Sequence, residues 1–165
     1  MRRDVEACVA LGCDGIVIGA LEADGLVEMA ACRALVEAAG GLDITFHRAF
    51  DVVADRARAL EDVIALGCSR ILTSGGKDEE LQGAADIAID HARAAGRIAL
   101  MARAGLMAAN IADVARISGV RELHASAKVF DPGIGVDGPA GLARGHWRSN
   151  EDVVRSLRQA LDAGT

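Results

Sequence analysis

The chain has 165 residues and a formal net charge of −6; it is 52% hydrophobic and 25% charged, a balance that suits one folded domain with a sizeable core. The acidic excess argues against general nucleic-acid binding, which needs a basic footprint. No run approaches the roughly 18 uninterrupted apolar residues that a membrane-spanning helix requires. Aromatics supply only 2% of the residues, and of 18 basic residues only Lys77 and Lys128 are lysines, so alanine, leucine and valine must fill the core.

The N-terminal stretch "MRRDVEACVALGC" carries charges where a signal peptide would have its apolar core, so a cytoplasmic location is expected. Arg2 to Leu11 predicts a helix, followed by five short apolar runs. These are "GIVIG" from Gly15, "DITFH" from Asp43, "RILTS" from Arg70, "RIALM" from Arg97 and "VRELH" from Val120, at intervals of 28, 27, 27 and 23 residues. The segments between them have helical spacing. In Ala54 to Leu66 the residues Ala57, Leu60, Ile64 and Ala65 are expected to share the buried face, with Arg56, Arg58, Glu61 and Asp62 on the polar one. Asp86 to Ala95 and Asn110 to Ile117 read alike. Strands and helices alternating at this period predict βα units and a parallel sheet.

Two units share wording: "ALGCDGIVIG" from Ala10 and "ALGCSRILTS" from Ala65. In each, Gly12 or Gly67 can take the left-handed position that ends a helix. Such self-similarity favours a barrel over a doubly wound sheet, and no G-x-G-x-x-G follows the first strand. The fold class is therefore α/β, a partial TIM-like (β/α)8 barrel of about five C-terminal βα units with parallel strands. Residues 1–165 form a single domain with the first three or so units absent. Phe130 to Trp147 holds five glycines and both prolines and reads as a lid or a disordered loop, with Trp147 anchoring its end. Ser149 and Asp152 make a capping-box-like start to a closing helix, "EDVVRSLRQAL".

Chemistry in parallel α/β folds gathers at the carboxyl ends of the strands. Side-chain alternation puts Thr45 and His47 on one face of the second strand, and Glu122, His124 and Ser126 on one face of the last. The polar sets are expected to line the barrel, so His47 and His124 reach a common rim. Together with Asp51 they could bind a metal or exchange protons near neutral pH. Arg48 is expected to point outward or across to Asp51. "TSGGK", the residues Thr73, Ser74, Gly75, Gly76 and Lys77, favours a turn whose N–H groups and cation hold an anion, though its spacing is not that of a Walker A loop. "MARAGL" places Arg103 and Gly105 where loops after late barrel strands often hold phosphate. His91 on a helix and His146 in a loop read as solvated. A Schiff-base role for Lys128 has only its distance from His124 behind it.

The four cysteines, Cys8, Cys13, Cys32 and Cys68, form no CxxC and read as free, buried thiols. Copper(I) favours thiolate and thioether donors. Met29 and Cys32 share a helix face, but core packing accounts for that pair. Cys8 and Cys13 straddle a helix end without a histidine neighbour. No cofactor is evident from motifs.

Taken in order, "GIVIGALEADGLVEM", "ITFHRAFD", "RILTSGGKDEELQGA", "ALMARAGLMAANI" and "RELHASA" resemble the CutC family of copper homeostasis proteins, from about Asp4 to Ala127. The resemblance implies a cytoplasmic TIM-like barrel with a role in copper handling, and copper as its ligand. It marks as rim residues His47, Arg48 and Asp51, then Thr73, Ser74 and Gly75, then Glu122, His124 and Ser126. The family has a front part, with cysteine-containing and arginine/glycine-rich stretches, that is absent here. Arg103 stands where the family usually has glycine. The resemblance thus implies an N-terminally truncated version with an internal methionine taken as the start, the alternative being a short protein that completes its sheet as a homo-oligomer. Two functions stay open: copper binding or trafficking, with His47 and His124 as metal ligands, and an enzyme acting on a small anionic metabolite. In the second, His47 is the acid/base, and Arg48, Lys77 and the Gly75/Gly76 backbone hold the anion. The expected partner is a small molecule or a metal, not nucleic acid or membrane.

Overall fold

The computed structural model describes residues 1–77, 80–103, 105–132 and 145–164. Five parallel strands, β1 (Gly15–Ile18), β2 (Asp43–Phe46), β3 (Arg70–Thr73), β4 (Ala99–Arg103) and β5 (Glu122–His124), lie side by side in chain order. They alternate with helices α1 (Arg2–Ala10), α2 (Met29–Ala38), α3 (Arg56–Ala65), α4 (Glu80–Ala94), α5 (Ile111–Ser118) and, last in the chain, α6 (Glu151–Ala163). A 3-10 turn, Arg48–Val52, follows β2.

Sequential strand order without a reversal, and one covered sheet face, identify a piece of a (β/α) barrel rather than a doubly wound sheet. Ile16, Ile18, Ile44, Phe46, Ile71, Leu100 and Ala102 form the buried face under the helices. On the opposite face Thr45 registers with Arg70, and Met101 with Glu122. That face is open: Val17 is 63% exposed. The expected alternation holds, with Thr45 and His47, and Glu122 and His124, on the open side. Burying the branched aliphatic set while leaving the polar set in water follows from the two-residue period of a strand.

The repeated helix ends also form as expected. Gly12 and Gly67 are left-handed, at φ +72° and +81°, and each is followed by a backbone bond from the cysteine N–H back to residue 8 or 63.

Several expectations shift. The fourth strand begins at Ala99 rather than Arg97, because Arg97 closes α4: its N–H and Nε both donate to the Ala94 carbonyl. The buried face of α3 is Ala59, Leu60 and Val63, so Ala57 and Ala65 lie outside and Arg56 turns inward. The last helix is capped by Asn150, whose side chain accepts from the Val153 N–H, and not by Ser149, which pairs with Lys128 in an antiparallel ribbon. That ribbon, β6 (Lys128–Asp131) and β7 (His146–Ser149), replaces the two ends of the expected loop and puts His146 on a strand. The lid reading of its centre falls on residues 133–144, outside the described residues. Trp147 does anchor the ribbon, edge-on to Phe130 at 5.4 Å and under the Lys128 ammonium at 4.6 Å. No described helix is long and apolar enough to cross a membrane.

Candidate functional site

The carboxyl ends of the five strands carry the polar residues of the sequence. At the end of β2 the His47 Nδ1 accepts from the Ala49 N–H at 3.1 Å and so caps the 3-10 turn. An accepting Nδ1 places the proton of the neutral ring on Nε2. With the cap in place, neither nitrogen has a lone pair free for a metal, and Nε2–H is a donor. The ring lies against Gly19, where a Cβ would meet His47 Cε1 at 2.5 Å. Gly19→Ala should therefore displace the ring and cost about 1–3 kcal/mol. A changed His47 imidazole resonance together with a lowered denaturation midpoint would show this; an unmoved resonance would contradict it.

The turn buries Phe50 and delivers Asp51 to the end of β3. The Asp51 carboxylate is 5% exposed and saturated. Its Oδ1 accepts from the Thr73 hydroxyl at 2.6 Å, the Ser74 N–H at 2.9 Å and the Gly76 N–H at 3.3 Å. Its Oδ2 accepts from the Ser74 hydroxyl at 3.0 Å and from Arg48 Nε at 3.1 Å. Burial pushes this carboxyl upward, but the bonds from Thr73, Ser74 and Arg48 outweigh it and hold the group below its ordinary value. The Thr73–Gly76 turn does cradle an anion, and the anion is the protein's own. Gly75, at φ +75°, packs on α4 so closely that its Cβ would stand 2.3 Å from the Gly83 carbonyl oxygen. Lys77 faces Asp86 at 3.7 Å.

Two residues that sequence spacing did not single out complete this network. Arg56 donates through Nε to Asp90 at 2.5 Å and through Nη2 to Thr73 at 2.8 Å, with its guanidinium 4.5 Å from the Phe50 ring centre. Asp90 is 1% exposed. Burial drives its carboxyl above the ordinary value against the pull of Arg56. On the open face Glu122 is taken by Arg70, which reaches it with Nε and Nη2 across β4; the small Ala99 beside Arg70 leaves room for the crossing. Arg70 bonds Glu122 and holds that carboxyl low.

Beyond the ends of β4 and β5 a cleft of about 460 Å³ remains. Arg103 and His124 are direct partners in register and enter it with Gly105, Ser126, Lys128 and Trp147; among its described lining residues none is acidic. Arg103 Nε is buried and has no hydrogen-bond partner among the described residues. Three cation-forming side chains, a hydroxyl and an unspent N–H thus converge in a protein whose overall charge is negative.

The structure does not bring His47 and His124 together. Two strands lie between β2 and β5, about 14 Å along the sheet at ordinary strand spacing, far more than two ligands of one ion allow. Among the described residues no three histidine, cysteine or acidic side chains cluster. The rim donors therefore do not fit copper, which as copper(I) favours sulfur.

The model of the CutC family matches residues 1–129. A CutC family protein of Xanthomonas campestris pv. campestris strain B100 is 56% identical over 128 residues, covering 78% of this chain and 53% of that protein. One from Chromobacterium violaceum is 44% identical over 172 residues, covering 98% of this chain and 69% of that protein. The crystal structure of a proposed copper homeostasis protein CutC from Streptococcus agalactiae superimposes with a TM-score of 0.71 at 29% identity, over 74% of this chain and 60% of that one. The chain spans about half the length of the Xanthomonas relative it matches.

Proposed function

The chain belongs to the CutC family, and from that premise we propose that it is a cytoplasmic copper homeostasis protein whose strand-end cleft binds a small anionic compound. The copper role follows the name given to the Streptococcus agalactiae relative, and the four free cysteines suit a reducing compartment. One observation carries the anion: Arg103, His124 and Lys128 share a cleft with Ser126 and no acidic residue among the described ones, with Arg103 Nε buried and unpaired. A phosphate or carboxylate oxygen would satisfy that donor, and a guanidinium is well matched to either.

The Asp51 network bears on the same choice. Because Asp51 fills the Thr73–Gly76 turn, an external anion is better received by the Arg103 cleft than by Lys77 and the Gly75/Gly76 backbone. With Nδ1 accepting from the Ala49 N–H, the Nε2–H of His47 is the donor left to orient a substrate.

The test is a thermal-shift series with inorganic phosphate, citrate and a panel of phosphorylated metabolites, against sodium chloride at matched ionic strength. A ligand at about 100 times its Kd adds about 2.7 kcal/mol, a shift of several degrees, and Arg103→Ala should remove it. A flat response across the panel, or an equal shift in Arg103→Ala, overturns the reading.

A further inference from the structure

The chain has few aromatic residues: three phenylalanines, one tryptophan and no tyrosine. Phe46 and Phe50 are fully buried in the core, whereas Phe130 and Trp147 are 54% and 59% exposed. The two exposed rings are cross-strand partners in the β6–β7 ribbon. Strand alternation puts Lys128 on the same face of that ribbon, where its ammonium stands over the indole. Asp131 lies on the other face and pairs with Arg148. The chain enters the ribbon through Ala127, at φ +43°, a left-handed backbone that strains any residue with a Cβ. The Ala127 carbonyl accepts from the Asn150 N–H at 2.9 Å, a bond that ties the strained turn to the cap of α6. This turn brings Lys128 and Trp147 to the Arg103 cleft, which both residues line.

At about 460 Å³ the cleft is in the size range of small-molecule pockets, and an inorganic anion would leave most of it empty. Beside Arg103, His124, Ser126 and Lys128, its described lining is apolar or aromatic, with Leu106, Met107, Trp147 and Val153 the largest side chains. We propose that the ligand of this cleft is an aryl anion, a flat aromatic ring bearing a phosphate or carboxylate. The oxyanion takes the Arg103 Nε–H and the Lys128 ammonium, and the ring packs against Trp147 and Met107. This ligand class rests on the anion reading above and adds the part of the molecule that the anion does not occupy. A ring suits the site better than an aliphatic chain because indole and ring gain from offset or edge-on contact beyond the area they bury, and a thioether adds a sulfur–ring contact. Lys128 joins the two halves: its ammonium is seated on the indole and supplies charge to the anion, so anion and ring belong to one compact molecule.

With one tryptophan and no tyrosine in the chain, Trp147 emission reports the ring contact directly. The test is a titration of the full chain with phenyl phosphate, hexyl phosphate and inorganic phosphate at constant ionic strength, read by calorimetry and by Trp147 fluorescence. Phenyl phosphate should bind at least about tenfold tighter than inorganic phosphate, bind tighter than hexyl phosphate, and change the emission. Trp147→Leu falls at an exposed position, with folding verified by a thermal melt, and should erase the preference for phenyl over hexyl phosphate. Inorganic phosphate binding that Arg103→Ala removes, with phenyl phosphate no tighter and the emission unmoved, overturns the aryl class and leaves the anion site standing. Hexyl phosphate bound as tightly as phenyl phosphate also overturns it, since burial alone would then account for the affinity. A preference for the ring that survives in Trp147→Leu does the same. No binding of inorganic phosphate or of either ester overturns the aryl class and the anion reading together.

Discussion

Asp51→Ala should destabilise the protein by about 3–5 kcal/mol, the range for removing one partner of a buried, hydrogen-bonded charge. At this chain length the midpoint falls by on the order of 10 °C. The side chain does not merely lose bonds. The Ser74 and Gly76 N–H groups and the Thr73 and Ser74 hydroxyls lose their acceptor together, and the turn they hold packs against α4 through Gly75 and Gly83. Denaturant unfolding measures the effect, and a loss below about 1 kcal/mol would show that solvent replaces the carboxylate at little cost. The folded Asp51 carboxyl sits below its ordinary value. Its ionised form therefore stabilises the protein at every pH above the unfolded value of about 3.9, and that contribution is lost as pH falls through the folded value. Asp51→Asn should remove this part of the acid sensitivity.

Arg56→Met should cost about as much, roughly 3–5 kcal/mol, with the opposite pH trend. It strands Asp90, 1% exposed, without the guanidinium that now bonds it. The folded Asp90 carboxyl already stands above its ordinary value because burial penalises the charged form. A raised carboxyl binds protons more readily in the folded state, so its contribution to stability falls as pH rises from about 4 through the folded value. Losing Arg56 lifts that value further, and the variant should be relatively more destabilised at pH 7 than at pH 5. Asp90→Asn in the same chain should recover part of the loss at pH 7. A deficit independent of pH would place the cost in the lost Phe50 and Thr73 contacts instead. Asp51 and Arg56 share Thr73, so the double variant should lose less than the two single losses combined.

Most of the architecture was legible in the chain because strand alternation and helix ends are local. The face shared by Thr45 and His47 follows from a period of two, and Gly12 and Gly67 end their helices because a glycine tolerates left-handed backbone without strain. The interval between apolar runs was enough to predict parallel βα units. The start of the fourth strand was not legible, since Arg97 looks like a strand residue until its bonds to Ala94 are seen. Asn150 took the cap from Ser149 for a similar reason: the ribbon with Lys128 is a long-range pairing across residues that looked like loop.

The sequence also determined the chemistry of the rim, but not its wiring. That "TSGGK" holds an anion could be argued from its hydroxyls and glycines. That the anion is Asp51 depends on where the 3-10 turn after β2 meets β3. His47 and His124 both reach the carboxyl ends of their strands, as alternation requires. Only the strand order, with β3 and β4 between them, keeps them apart. Arg56, Asp90 and Arg70 carry no signal in spacing, because each ion pair, buried for Asp90 and on the open face for Arg70, joins residues 34 or 52 positions apart whose meeting is fixed by packing and not by pattern. Local backbone preference and burial period are written residue by residue, so the chain alone determined its elements and their faces. Which charges neutralise one another, and which are left for a ligand, is a property of distances across the sheet, and only the tertiary structure decided it.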